Sequence, residues 1–131
     1  MTVHRASCRC GGLGATATGV PVRISICHCR DCQKRSGSAF SAQVRFADGD
    51  VSVTGAAQTW RTTGDSGRWA EFDRCRVCGD TVTYRIEALP GLTAIPLGAF
   101  DDPDFFVPAH SVWENRKHRW LAITGDMAHH Q

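Results

Sequence analysis

Seven cysteines fall into three tight groups, Cys8 and Cys10, then Cys27, Cys29 and Cys32, then Cys75 and Cys78, and none lies elsewhere in the 131 residues. Inert buried thiols would be scattered through the apolar pattern, as free cysteine usually is. An odd count also leaves one thiol over in any scheme of internal disulfides. The N-terminal "MTVHRASCRCGG" carries no apolar leader core, and no apolar run approaches the roughly 18 residues of a membrane span. The expectation is therefore one domain over residues 1–131 in a reducing, cytoplasmic setting, where clustered cysteines are metal ligands or catalysts.

Charge argues against a nucleic-acid partner. The formal net charge is +2 with cysteine counted as neutral. If all seven cysteines bound two zinc ions as thiolates, +2 − 7 + 4 would bring the protein to about −1. The arginines crowd the cysteines, Arg30, Lys34 and Arg35 among them, where they offset thiolate charge.

Between the cysteine groups the chain reads as short strands. "ATATG" from Ala15, "VRISICHC" from Val22, "AFSAQVRF" from Ala39, "VSVT" from Val51, "AQTWRTT" from Ala57, "RWAEFDR" from Arg68 and "TVTYRI" from Thr81 alternate or are rich in β-branched residues. Turn residues separate them at "GVP", "ADGD", "TGDSG" and "LPG". Helix is confined to one or two turns from Asp31 through Ser36 and one turn in "DDPDFF" from Asp101, opened by an acidic cap and a proline. The fold class is all-β. Trp60, Trp69, Trp113 and Trp120 are expected in the core, and the tail "GDMAHHQ" from Gly125, with His129 and His130, is expected to fray.

In "CRCG" at Cys8 two thiols two residues apart would share one face of an extended strand, while "CRVCG" at Cys75 is a knuckle whose backbone N–H groups point at the sulfurs. The two halves complete one four-cysteine tetrahedral site. In "CHCRDC" a strand continued from "RISI" points Cys27 and Cys29 one way and His28 the other, and the turn through Arg30 and Asp31 returns Cys32 towards them. Three thiolates with no fourth ligand describe an open site where a small molecule completes the coordination. His4 or His110 could instead close it from a distance, which would make it structural. A low-pKa thiol catalyst beside Arg30 and Lys34 leaves the convergence of three sulfurs unexplained.

"CRCGG" at Cys8, "CHCRDCQKRSGSAFS" at Cys27, "FDRCRVCGDTV" at Phe72 and "PLGAFDDPDFFVPAHSVWENRKHRWLAI" at Pro96 resemble, in that order, the glutathione-dependent formaldehyde-activating enzyme family, which also includes centromere protein V. The resemblance runs from about residue 7 to 123. It implies a β-tent fold of short antiparallel strands with zinc knuckles and very little helix, and two zinc ions per chain. Cys8, Cys10, Cys75 and Cys78 match the structural zinc; Cys27, Cys29 and Cys32 match the catalytic one. The implied activity is a carbon–sulfur lyase or synthase step that joins glutathione to formaldehyde as S-(hydroxymethyl)glutathione. Arg30, Lys34 or Arg35 would then grip the carboxylates of glutathione. Zinc-bearing methionine sulfoxide reductases are fold relatives, but no cysteine follows Cys78 to do their chemistry. "HRWLAI" departs from the family in carrying His118 and Arg119 before the tryptophan, which leaves the substrate periphery open. The other reading of the chain is a non-catalytic zinc module that docks a protein partner.

Overall fold

The computed structural model describes all residues from Met1 to Gln131. In chain order the elements are β1 (Val3–Ser7), β2 (Leu13–Thr18), β3 (Arg23–Cys27), α1 (Arg30–Ser36), β4 (Ser41–Ala47), β5 (Val51–Gly55), β6 (Ala57–Thr63), β7 (Trp69–Cys75), β8 (Thr81–Ile86), β9 (Leu92–Pro96), β10 (His110–Val112) and β11 (Ala128–His129). They form a small sheet in the order β1-β2-β5 and a large one in the order β11-β10-β3-β4-β9-β8-β7-β6. Pairing is antiparallel except at one end of the large sheet, where β10 runs parallel to both β3 and β11. The architecture is the expected all-β tent with a single short α-helix, and no helix is long and apolar enough to cross a membrane.

Period-two patterning decides which faces meet. Along β2, Leu13, Ala15 and Ala17 point inward and Gly14, Thr16 and Thr18 outward, so the small sheet offers an apolar face. Against it the large sheet sets Val44, Phe46, Val82 and Ile95, all fully buried, while Phe100 and Phe106 fill the open end. Full burial of side chains of this size contributes roughly 1.5–3 kcal/mol each. Cys8 and Cys75 belong to the same apolar cluster, so one group of sulfurs is continuous with the core.

Several expectations need correction. Cys8 and Cys10 do not lie on a strand: β1 ends at Ser7 and the two cysteines occupy the turn into β2, because Gly11 takes φ 79° and reverses the chain. The tryptophans are not core residues. Trp60, Trp113 and Trp120 are between 46% and 72% exposed, and Trp69 is half-buried beneath the Arg61 guanidinium at 4.2 Å. Amphipathic rings of this kind pack against neighbours at the surface, as Trp60 on the edge strand β6 does on Phe72 at 6.1 Å and Trp120 beside His118 at 5.4 Å. The tail is docked: His130 N–H donates to the Ser111 carbonyl at 2.8 Å, Glu114 N–H to that of His130 at 2.9 Å, and the His129 ring meets the Glu114 carboxylate at 2.6 Å. The acidic turn near Asp101 forms as a 3-10 turn over Pro103–Phe105, although Asp102 caps it without a side-chain hydrogen bond.

Two measurements check this packing. Gly55 has φ 102°, and a Cβ there would fall inside contact distance of the Gly12 carbonyl oxygen and 3.2 Å from Leu13 Cα. Gly55→Ala should therefore lower the unfolding free energy by at least about 2 kcal/mol in a denaturant titration. Deleting residues 127–131 should raise amide exchange at His130's former partner strand β10 while leaving β4 and β9 protected.

Candidate metal centres

Two turns build the first centre. In one, Cys8 N–H donates to the Leu13 carbonyl and Gly11 N–H to that of Cys8, while Leu13 N–H points at Cys8 Sγ (3.3 Å) and Gly12 N–H at Cys10 Sγ (3.4 Å). In the other, Gly79 at φ 81° turns the chain and Val77 N–H points at Cys75 Sγ at 3.4 Å. N–H groups from Cys78 and Val77 hold the Cys75 thiol below its ordinary range. Cys10 Sγ lies 3.6 Å from Cys8 Sγ and 3.5 Å from Cys75 Sγ, and all four sulfurs lie within 4.8 Å of one another. A tetrahedron with metal–sulfur bonds of about 2.3 Å has sulfur–sulfur edges of about 3.8 Å, so the donor set fits one ion and is consistent with zinc. Arg9 clamps the turns together: its guanidinium makes three hydrogen bonds to the two Asp80 oxygens and its backbone N–H adds a fourth, each at 3.0–3.2 Å. This clamp holds the Asp80 carboxyl below its usual range.

The second centre sits where β3 gives way to α1. Cys27 ends β3 and is buried. Cys29, extended at φ −61° and ψ 155°, is the N-cap of α1, its Sγ accepting from Cys32 N–H at 3.3 Å. A sulfur thus stands where serine or aspartate usually caps a helix; contact with Cys27 pulls its pKa down, but the Cys32 sulfur and burial outweigh that and leave the Cys29 thiol raised. The three sulfurs lie within 4.8 Å of one another. Contact with Cys29, then Cys32, pushes the Cys27 thiol up; contact with Cys27 and Cys29, aided by the Ser41 hydroxyl and the Arg35 charge, pushes Cys32 down. The trio alone favours one negative charge over three, and a cation in its midst would reverse that preference. No fourth cysteine, carboxylate or histidine joins the group.

His4 and His110, the two histidines that could have closed the site, are engaged elsewhere, and His28 points away as expected. His28 follows Cys27 onto the opposite face, fully buried, with its Nε2 2.9 Å from Ser111 Oγ, and burial keeps its ring neutral by pushing its pKa down. His4 packs among Phe46, Phe105 and Phe106 with ring centroids 4.8–6.0 Å away. His110 stacks on His130 at 5.6 Å.

The helix divides the cations that the sequence groups together. At 3.6 residues per turn, Arg30 and Lys34 share one face of α1 and Arg35 points about 100° away. The Arg35 guanidinium lies 4.7 Å over the Tyr84 ring and 4.9 Å over Phe72. Beneath it runs a polar network absent from the sequence reading. The Tyr84 hydroxyl (3.0 Å) and the Ser41 hydroxyl (2.9 Å) both donate to Gln43 Oε1, Gln43 Nε2 donates to Ser25 Oγ at 2.9 Å, and Arg45 donates to the same oxygen at 3.3 Å. Burial pushes the Tyr84 phenol up to about 12, so it stays a donor at neutral pH. Ser41, Gln43 and Arg45 alternate with Ala42, Val44 and Phe46 along β4, and that two-residue period was the available signal. Arg30 and Lys34 instead line a cleft of ≈ 400 Å³ with Gln33, His118 and Trp120.

The fold is similar to the crystal structure of a Rhodobacter sphaeroides protein, a structural-genomics target, with a TM-score of 0.61 at 17% identity over 79% of this chain and 96% of that one. No match is found among curated proteins. The family model described as glutathione-dependent formaldehyde-activating enzyme matches residues 3–116, a span that takes in all seven cysteines and both sulfur clusters. The chain belongs to the glutathione-dependent formaldehyde-activating enzyme family.

Proposed function

We propose that the protein is a zinc-dependent carbon–sulfur lyase or synthase that acts on a thiol adduct in the reducing cytoplasm, with S-(hydroxymethyl)glutathione made from glutathione and formaldehyde as its reaction. The observation that carries this reading is the asymmetry of the sulfur clusters: Cys8, Cys10, Cys75 and Cys78 offer four donors, enough to saturate a tetrahedral ion, whereas Cys27, Cys29 and Cys32 offer three, with the Arg35 charge acting on Cys32. Zinc held by the trio would keep a substrate thiol, otherwise only a few per cent ionised near neutral pH, as its thiolate and polarise the aldehyde oxygen.

The balanced reaction forms one C–S bond from the thiol sulfur to the formaldehyde carbon; the carbonyl π pair becomes the hydroxyl oxygen's, and the thiol proton ends there. The larger share of the acceleration falls to positioning, since the gain in thiolate is only about thirtyfold. Arg35, fixed over Tyr84 and Phe72, meets a carboxylate of the thiol. The Tyr84–Gln43–Ser41 network ties β8 to β4 across the intervening β9 beneath it. The exposure of Trp60 and Trp113 favours a second reading, a non-catalytic zinc module that docks a protein partner.

Metal analysis separates the two. The purified protein should hold two zinc ions per chain, and a Cys27→Ala, Cys29→Ala double variant should lose one, stay folded by circular dichroism and lose activity. Unfolding of that variant, or full activity in it, would sink the enzyme reading. A Cys8→Ala, Cys75→Ala variant should fail to fold, because structural zinc contributes roughly 10–16 kcal/mol in small domains. Arg35→Gln should raise KM for glutathione about tenfold, measured by steady-state kinetics with formaldehyde, through loss of a charge-assisted bond.

A further inference from the structure

The family match ends at residue 116, yet the segment that follows builds one wall of the cleft on α1. His118 and Trp120 face Arg30, Gln33, Lys34 and the turn from Gly37 to Ala39, and no cysteine lines the space. Gln33, only 6% exposed, organises it. Its Nε2 donates to the carbonyls of His28 (2.8 Å) and Arg116 (3.2 Å), which fixes the amide's orientation and leaves Oε1 facing outward as an acceptor. That oxygen receives Arg30 Nη1 at 2.6 Å and His118 Nε2 at 2.8 Å. One buried amide therefore positions two nitrogen donors from opposite walls and sets the His118 tautomer with hydrogen on Nε2.

The cleft lacks an internal counter-charge. The ion pairs of the protein are Arg9–Asp80, Arg61–Glu71, Arg85–Asp48 and His129–Glu114, so neither Arg30 nor Lys34 has a carboxylate partner. Arg30 is nevertheless held in place, which removes much of the ordering cost a ligand would otherwise meet. Trp120 stands 72% exposed with its ring 5.4 Å from that of His118, an apolar surface at the mouth of a cationic cleft. Reach links this cleft to the sulfur trio. The seven-residue α1 carries Cys32, with Cys29 as its cap, and an α-helix with its side chains is about 10–12 Å across. An extended tripeptide spans about 10–11 Å. Cys29 directly precedes Arg30, and one 100° step of the helix is roughly 9–10 Å along its outer surface. A thiol whose sulfur lies against Cys29 therefore needs an arm of about that length to set its far end beside Arg30 and His118.

From this we infer that the cleft binds the remote carboxylate of the thiol substrate, and that His118 and Trp120, outside the family match, set which thiols are accepted; the inference rests on the thiol-adduct reading. The test is calorimetric titration of the zinc-loaded protein with S-methylglutathione, a thioether unable to form the adduct, against S-methylcysteine, which lacks the remote carboxylate. S-methylglutathione should bind at least tenfold more tightly than S-methylcysteine. Arg30→Gln with Lys34→Gln, and separately Trp120→Ala, should abolish that preference with zinc content unchanged, and Trp120→Phe should restore most of it. In turnover, the ratio of kcat/KM for glutathione to that for 2-mercaptoethanol should fall about tenfold in the same variants. Equal binding to wild type and variants, or no preference in wild type, overturns the inference. Cleft-dependent binding without any turnover of glutathione and formaldehyde upholds the cleft and removes the lyase reading instead.

Discussion

Sulfur atoms brought to 3.5–3.6 Å cannot all be thiolates without a cation between them, and most of this structure follows from meeting that condition in the Cys8, Cys10, Cys75 and Cys78 cluster. The β1–β2 turn and the β7–β8 turn are joined there across 65 residues of chain. Cys8 and Cys75 are part of the apolar core, and the Arg9–Asp80 clamp spans the same turns on the outside. Gly55 lies against the backbone of the first turn, so even the small sheet's edge strand is shaped to the cluster. A domain of this size has a net stability of roughly 5–15 kcal/mol. One ion held at such a cluster would contribute on the same scale, so the tent and that ion would form as a unit.

The second cluster uses a different device. A seven-residue helix would be marginal alone, but its cap is a cysteine, its left-handed end is Gly37 at φ 70°, and Gln33 ties it to the chain around Arg116. That short element carries three functions on three faces: sulfur from Cys29 and Cys32, the Arg35 guanidinium over Tyr84, and the Arg30 and Lys34 wall. The polar network of Ser25, Ser41, Gln43 and Arg45 is buried behind it and satisfied by its own members. A satisfied buried network of this kind holds a site rigid without relying on surface ion pairs.

The cysteine groups were legible because ligand spacing is a local property of the chain, and so were β6 and β8, whose limits the alternating runs from Ala57 and Thr81 match. What the sequence hid is non-local. β1 contains Arg5 and His4, and its inward face is set by the place of His4 among four phenylalanines, Phe46, Phe100, Phe105 and Phe106. β10 and β11 are three and two residues long, too short to carry a period, and the tail is held by backbone bonds to Ser111, Ala109 and Glu114. The large apolar area of tryptophan predicts a core position, but its ring also suits the surface and cationic neighbours, as Trp69 beneath Arg61 and the half-exposed Trp60 show. Polar residues on alternate strand positions ordinarily face water; at Ser41, Gln43 and Arg45 they face one another in the interior.

Unequal coordination at the two centres is read directly by zinc K-edge X-ray absorption on the purified protein. Seven sulfurs shared by two ions should give an average of about 3.5 sulfur neighbours near 2.3 Å per zinc, with about half a nitrogen or oxygen neighbour near 2.0 Å that changes when a thiol ligand is added. Four sulfurs on every zinc, or a light-atom shell identified as protein imidazole and unmoved by thiol, would contradict it.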